Sequence, residues 1–469
     1  MTLFLDKPGD EGLPGRERLM AMVAVMTSTT MAVFDGSMVN IALPQIARAL
    51  DVTAAEAVWV ANGYLLSAAM TLAIFAALAA HIGFRRLFAA GLGLFTLASL
   101  GCALAQSLET LVAMRILQGI GGAATLSIAP AILRSVFPNR LLGRILGMNA
   151  LLIASSTAIA PVLGGTLLAT LSWQWLFAIN LPLGIIALLF TLRVIPTATS
   201  ALRGPFDTPG ALLSALMLGA MVMASSAISR SGSGLTALSY GLVGLAAGAL
   251  FVLRQRQALQ PLMPLTLFAS PRFSLAALTS LASFISQGMT FVALPFLFQS
   301  VYGYSALTSA LLFTAWPVGI MLVAPHAGRL ADRYAPSLIA TVGLCLFAVG
   351  LILLARLPHD PPVWDISLRS LICGIGFGCF QSPNNKEMMA NASREHSGYA
   401  SGVLAIMRTF GQCLGAALLG GILSLYAPSG NVEQEAFAVR LGLGLAAAAT
   451  LLAILFSLSR VRQISSPPL

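Results

Sequence analysis

The amino-acid sequence predicts an all-α integral membrane protein whose fourteen transmembrane helices are arranged as six, two and six. Three observations carry this expectation. Of 469 residues, 58% are hydrophobic and 9% charged, against about 25% charged in a soluble domain. Uncharged apolar runs recur along the chain, and many reach the roughly 20 residues that cross about 30 Å of hydrocarbon as a helix. Short patterns from the first part of the chain also return in the last part at nearly one offset. No polar stretch is long enough to form a separate soluble domain.

In order, the expected spans are 19–43, 57–80, 87–105, 110–133, 144–168, 175–194, 208–228, 235–253, 273–298, 305–325, 337–355, 367–386, 402–425 and 437–458. The polar stretch before them lacks the basic-then-short-apolar form of a signal peptide, so the first span is expected to be retained. An even number of spans puts both ends on one side. Nineteen Lys and Arg residues fall on the side of the termini. Five (Arg48, Arg230, Arg356, Arg369 and Arg440) fall on the other, and Arg115 and Arg408 lie within spans. This bias places both termini in the cytoplasm. It also accounts for the net charge of +10 as topology, so no nucleic-acid partner is expected.

The internal repeat divides the chain. "ALP" at 42–44 recurs at 293–295, and "GIG" at 119–121 recurs at 374–376. "AALAAHIGFRR" at 76–86 resembles "GRLADRYAPSL" at 328–338. These matches predict a cytoplasmic tail at 1–18, a six-helix bundle at 19–195, and a linker with two extra helices at 196–272. A second six-helix bundle at 273–459 and a tail at 460–469 follow. Duplicated bundles of this kind place a site at their interface.

Asp35, in "AVFDGSMVNIALP", is the only acid in its span. Arg115 lies at a comparable depth in the fourth. An ionised group at mid-membrane costs about 2.5–3.5 kcal/mol on insertion scales, so it faces a partner or a wet cavity. Two readings stand: a carboxylate that exchanges a proton or meets a cation, and a fixed Asp35–Arg115 ion pair locking two helices. Arg408 either snorkels to the cytoplasm or lines a cavity. Lys386 and Glu387 read as an interfacial pair. The glycine clusters, "GIGFG" at 374–378 among them, read as close helix packing, and Pro161 as a kink in the fifth span.

Other features exclude functions. Cys102, Cys345, Cys373, Cys379 and Cys413 all lie in apolar segments and read as buried small hydrophobes. The four histidines fall in loops, and no metal site is expected. There is no GxxxxGK[ST] loop, hence no ATPase in this chain. "NAS" at 391–393 falls in a cytoplasmic loop, an accidental glycosylation match.

With these residues in hand, the chain resembles the major facilitator superfamily, and within it the fourteen-helix drug:proton antiporters of the EmrB/QacA type, nearly end to end. The motifs are "FDGSMVNIALPQIA", "RILQGIGGA", "APVLGG", "WQWLFAINLPLG", "FDTPG", "PLMPLTLFASPRF", "FQSPNN" and "YASGVLAIMRTFG". The resemblance implies the major facilitator fold with alternating access, and Asp35 as the coupling carboxylate with Arg115 tuning its proton affinity. It further implies a cavity formed by Phe34, Asn40, Trp59, Asn62, Tyr64, Gln118, Phe284, Gln287, Phe291, Arg408 and Gln412. Gating is assigned to Pro161, Gly164, Gly165, Gly328, Asp332 and Arg333. Three departures stand out. The first copy of the loop motif lacks its Asp, reading Ala76, Leu78, Ala80, His81, Gly83, Phe84, Arg85, whereas the second keeps Gly328, Leu330, Asp332 and Arg333. Asn62 stands where exporters of dications carry Asp, and Ala160 replaces the usual Gly.

The implied function is proton-coupled efflux of lipophilic, cationic small molecules such as quaternary ammonium compounds and dyes. The expected setting is a multi-pass protein of a bacterial inner membrane, monomeric, with no cofactor and the proton gradient as energy source. Alternatives are an exporter of a metabolite or peptide-like compound, and a non-transporting membrane sensor or scaffold. An enzyme is disfavoured because the spans hold no Ser/His or HExxH constellation.

Overall fold

Residues 12–196, 206–228, 234–392 and 397–465 are described in the computed structural model. Lys7, Arg203, Arg230, Arg394, His396 and Ser393 of the "NAS" match lie outside them. Among the described residues all regular structure is helical. The first part comprises α1 (Gly15–Ala49), α2 (Ala54–Ile82), α3 (Phe84–Ala103), α4 (Leu108–Val136), α5 (Asn139–Thr170), α6 (Trp175–Ala178) and α7 (Asn180–Val194). Then come α8 (Thr208–Ile228) and α9 (Gly234–Gln257). The last part holds α10 (Pro271–Phe296), α11 (Ala306–Leu330), α12 (Pro336–Ala355), α13 (Val363–Ala390), α14 (Ser397–Tyr426) and α15 (Val432–Ser465). Fourteen spans are long and apolar enough to cross a membrane, α6 and α7 together forming one.

Local chemistry sets the ends. Thr53 and Glu56 form a reciprocal capping box at the start of α2, and Ser107, Ser270 and Ser305 cap α4, α10 and α11. Each satisfies backbone N–H groups that have no partner inside the helix. The α2–α3 turn is made by Gly83 at φ +94°, a left-handed conformation open to glycine. Ile179 separates α6 from α7, where Pro182 has no N–H to offer the carbonyl of Ala178. Some boundaries move relative to the sequence reading. α1 continues through Pro44 to Ala49, and α15 runs on to Ser465, so Arg460 is a buried helical residue instead of part of a tail. α5 passes Pro161 without interruption. His81 sits in the last turn of α2 and His326 near the end of α11, each Nδ1 against the carbonyl four residues back.

The two six-span parts pair their helices in the same order. α4 packs on α2 and α3, α1 on α5 and α7; correspondingly, α13 packs on α11 and α12, α10 on α14 and α15. Glycine contacts repeat this in detail. A Cβ on Gly121 would strike the backbone of Gly91 and Phe95. One on Gly376 would strike that of Gly343 and Phe347. The same close approach is thus built twice.

The halves meet along α2 and α14 and at the end of the molecule far from the termini. There a Cβ on Gly165 of α5 would stand 2.6 Å from Ala310 Cβ of α11, and one on Gly420 of α14 would stand 3.3 Å from Val58 of α2. Gln299 Nε2 donates to Ile41 O across the same seam at 2.7 Å. α8 lies against α2 and α14, and α9 packs on α8. Asp207, ahead of α8, accepts from Arg254 Nε (2.8 Å), Gln255 Nε2 (2.9 Å) and the Gly210 N–H (3.2 Å). Burial alone would raise its pKa, but these bonds outweigh burial and hold the carboxyl below its ordinary value.

Candidate functional site

Arg115 and Gln118 stand three residues apart on α4 and so share a helix face. That face meets Asp35 of α1. Arg115 Nη1 donates to Asp35 Oδ2. Gln118 Nε2 donates to Asp35 Oδ1 and to Ser99 Oγ of α3, both at 2.8 Å. Asn180, the first residue of α7, reaches Asp35 Oδ1 at 3.4 Å. Arg115 is held in turn by Gln118 Oε1 (2.6 Å) and, through Nε, by Val60 O (2.9 Å). Its guanidinium carbon lies 4.5 Å from the Tyr64 ring centre and 5.6 Å from that of Phe177, within cation–π range. The Asp35 side chain is wholly buried and Arg115 is 1% exposed. The cluster meets the carboxylate with one guanidinium and two amide N–H donors. Adding a proton to Asp35 removes the charge that Arg115 answers.

A separate cavity of about 350 Å³ lies between the halves. Its walls come from α1, α2, α4 and α5 on one side and α10, α11, α13 and α14 on the other. Asn40, Tyr64, Phe284, Gln287, Phe291, Arg408 and Gln412 line it. Gln412 Nε2 donates to Gln287 Oε1 at 2.8 Å. Arg408 is among the lining residues. Where Gly165 touches α11 the halves are closed. Nearer the termini, Ile153 and Thr157 of α5 and Pro317, Ile320 and Met321 of α11 line the cavity.

Four of the expected cavity residues lie elsewhere. Gln118 is sealed in the Asp35 cluster. Phe34 packs against the apolar core. Trp59 and Asn62 line a second pocket, of about 400 Å³, at the far end between α2, α8 and α14. Five residues separate Trp59 from Tyr64, about 140° around a helix, so the two cannot face one space. Asn62 Oδ1 accepts from Cys413 Sγ at 3.1 Å, joining α2 to α14. Conversely, Ser37, Thr157, Gln381 and Thr409 line the central cavity and were not expected. Ser37 with Asn40, and Thr409 with Gln412, stand at helical spacing, a signal that could have found two of them.

Asp35 is not among the lining residues. Its neighbours Gly36 and Ser37 are, but the carboxylate points into the first half. Tyr64 is common to both sites: its ring covers Arg115 and lines the cavity. No carboxylate lines the cavity among the described residues, so the cation expected as cargo finds no counter-charge there.

Of the gating residues, Gly165 touches α11 directly, and a Cβ on Gly164 would stand 3.2 Å from Met38. Pro161 lies within α5, and a Cβ on Gly328 would stand 2.9 Å from Ser382 Oγ. Asp332 pairs with Lys386 at the termini end, whereas Arg333 is exposed. This overturns the Lys386–Glu387 pairing. Neighbours in a helix point about 100° apart, and Glu387 is turned inward. There it accepts from Arg460 Nη1 at 2.6 Å, with both side chains buried or nearly so. All five cysteines are free. Cys102, Cys373 and Cys413 are buried, but Cys345 is exposed on α12 and Cys379 is half-buried.

A family profile described as Major Facilitator Superfamily matches residues 25–416. The chain is 41% identical to the uncharacterized transporter YebQ of Escherichia coli (strain K12) over 90% of its own length and 92% of the relative's. It is 31% identical to the multidrug resistance protein Stp of Mycobacterium tuberculosis (strain CDC 1551 / Oshkosh), covering 88% of this chain and 77% of the other. Among solved structures, a bacterial homolog of the human lysosomal transporter Spinster, inward-facing and unoccupied, superposes with a TM-score of 0.67 at 16% identity. That match covers 97% of each chain, a likeness of fold.

Proposed function

Because this chain belongs to the Major Facilitator Superfamily and is a multi-pass membrane transporter, we propose that it exports lipophilic small molecules in exchange for protons. The observation that carries this is the Asp35–Arg115 pair, buried one aromatic wall away from a cavity of ligand size. A structural lock alone would be met as well by apolar side chains, since buried ion pairs often add no net stability. A carboxylate that must take up and release a proton has no such substitute. The multidrug-resistance relative supports export as the direction.

Cargo enters the cavity from the cytoplasm, where the protein keeps both termini. Protonation of Asp35 from the opposite face releases Arg115 toward Gln118 Oε1, Val60 O and the Tyr64 ring, its other partners. The far-end seam at Gly165 and Gly420 opens and closes as the halves rock. Loss of the proton to the cytoplasm restores the pair. No cofactor takes part, and one chain in a bacterial inner membrane suffices. The pH difference supplies about 1.4 kcal/mol per unit, and the membrane potential about 2.3 kcal/mol per net charge per 100 mV.

The test is flux in proteoliposomes under an imposed pH gradient, wild type against Asp35→Asn. The variant is expected to reconstitute normally and lose gradient-driven accumulation, while keeping exchange of cargo down its own gradient. Undiminished uphill transport by the variant would remove Asp35 as the coupling group.

A further inference from the structure

We infer that the central cavity selects organic anions, a carboxylate-bearing aromatic being held by Arg408. This rests on the transporter reading but not on proton coupling. Arg408 is the only charged side chain among the described lining residues. Four other arginines each answer a carboxylate: Arg115 with Asp35, Arg254 with Asp207, Arg369 with Asp365 and Arg460 with Glu387. Arg408 has no such partner among the described residues. A guanidinium does not discharge by losing its proton, so in this setting it faces water or an anionic guest.

The surroundings favour the guest. Gln287 accepts from Gln412, which leaves the Gln287 amide nitrogen without a described partner and able to donate. Asn40 and Thr409 line the same space. Phe284 and Phe291 sit on one face of α10 with Gln287 and offer an apolar surface for an aromatic body. A guanidinium with neighbouring amide donors matches a carboxylate, to which arginine can bond through two N–H groups at once. The acid that could hold a cation is Asp35. It is already engaged by Arg115, Gln118 and Asn180 and turned away from the cavity.

A matched pair of probes tests this: 1-pyrenebutyrate and 1-pyrenebutylammonium, which share the ring system and differ in the sign of the charge. Binding to the purified full-length protein in detergent at pH 7 is read by fluorescence anisotropy. The anion is expected to bind at least tenfold more tightly. Arg408→Gln should weaken it at least tenfold and leave the ammonium probe unchanged or tighter, whereas Arg408→Lys should keep the preference for the anion. Unchanged melting of both variants shows that the fold is intact. Equal or tighter binding of the ammonium probe to wild type overturns the inference, as does a loss of less than twofold in Arg408→Gln. Asp35→Asn separates the two readings. Persistence of the anion preference in that variant supports the inference whatever happens to proton-driven flux, and its disappearance overturns the inference.

Discussion

In the first half, Asp35 of α1 meets Arg115 and Gln118 of α4. At the matching offsets in the second half stand Ser286 of α10 and Ser370 and Cys373 of α13, all neutral. Among the described residues Ser286 Oγ bonds within its half, donating toward Ala446 O (2.8 Å) and Ala282 O (3.2 Å) and accepting from Thr450 Oγ1 (3.0 Å). The second half fills the space with rings. Trp316, the counterpart of Tyr64, packs against Phe291, Phe347 and Phe377, with its ring centres 5.3 Å from the first two. Phe377 also contacts Phe284 and Phe380. One backbone plan therefore carries a buried ion pair at these positions in one copy and an aromatic pack in the other. The second half's own buried ion pair, Glu387–Arg460, lies toward the termini end. The proposed coupling through Asp35 needs only one such copy. The other can be rigid, and edge-to-face rings are a stiff filling, each pair contributing about 0.5–1.5 kcal/mol beyond burial.

The largest expected effect that tests this contrast comes from removing one member of the charged pair. Arg115→Ala leaves Asp35 buried with no counter-charge, and stability in detergent should fall by about 3–5 kcal/mol. Arg115→Ala combined with Asp35→Asn should recover most of that loss, as denaturant titration would read. A Ser286→Asp variant should be destabilised in the same way, because nothing on α13 answers the new charge. A fully stable variant would show that the second half tolerates charge after all.

Next comes the aromatic pack. Phe377→Ala opens a cavity among the rings, and a loss of about 3–5 kcal/mol is expected. The pH dependence of flux in surviving protein should be unchanged, which sets it apart from any change at Asp35. Smaller again is Gly165→Val. Its side chain would press on Ala310 and the Ala306 carbonyl, an overpacking worth about 1–3 kcal/mol. The load falls on the closed far-end seam, so cysteines introduced there should label faster.

The smallest effects lie at the surface of the same end as the termini. Asp332 and Lys386 are both well exposed, and breaking their pair by Lys386→Ala should change stability by no more than about 1 kcal/mol. A transport defect without a stability defect would assign the pair to state control. Asp207 gives a pH signature outside the spans. Its folded pKa is depressed, so its contribution is complete above its unfolded value, near about 3.9, and is lost as pH falls through the lower folded value. Stability should be insensitive to Asp207→Asn only in strong acid, a difference thermal melts at stepped pH would show.

The comparison also separates what was legible. The fourteen spans and the duplicated order could be read because hydropathy and glycine spacing are local properties of the chain. The Asp35–Arg115 pair could be read because two opposite charges at similar depth in hydrocarbon have few other partners. Which way Asp35 faces could not be read. That depends on the angle at which α1 is set against α4, α7 and α10, and packing fixes it. The same ignorance put Trp59 and Asn62 in the central cavity. It also paired Lys386 with its chain neighbour, when Glu387 is satisfied from α15, 73 residues on.

By itself the sequence determined that this chain crosses a membrane fourteen times in a repeated plan, with one carboxylate set deep in the first helix. Hydrophobic transfer and the cost of unpaired charge leave little freedom in those matters. Only the tertiary structure decided that the carboxylate turns away from the cavity behind Tyr64 while Arg408 faces into it. Rotation of a helix about its axis costs nothing in sequence terms, and is fixed only by close contact with its neighbours.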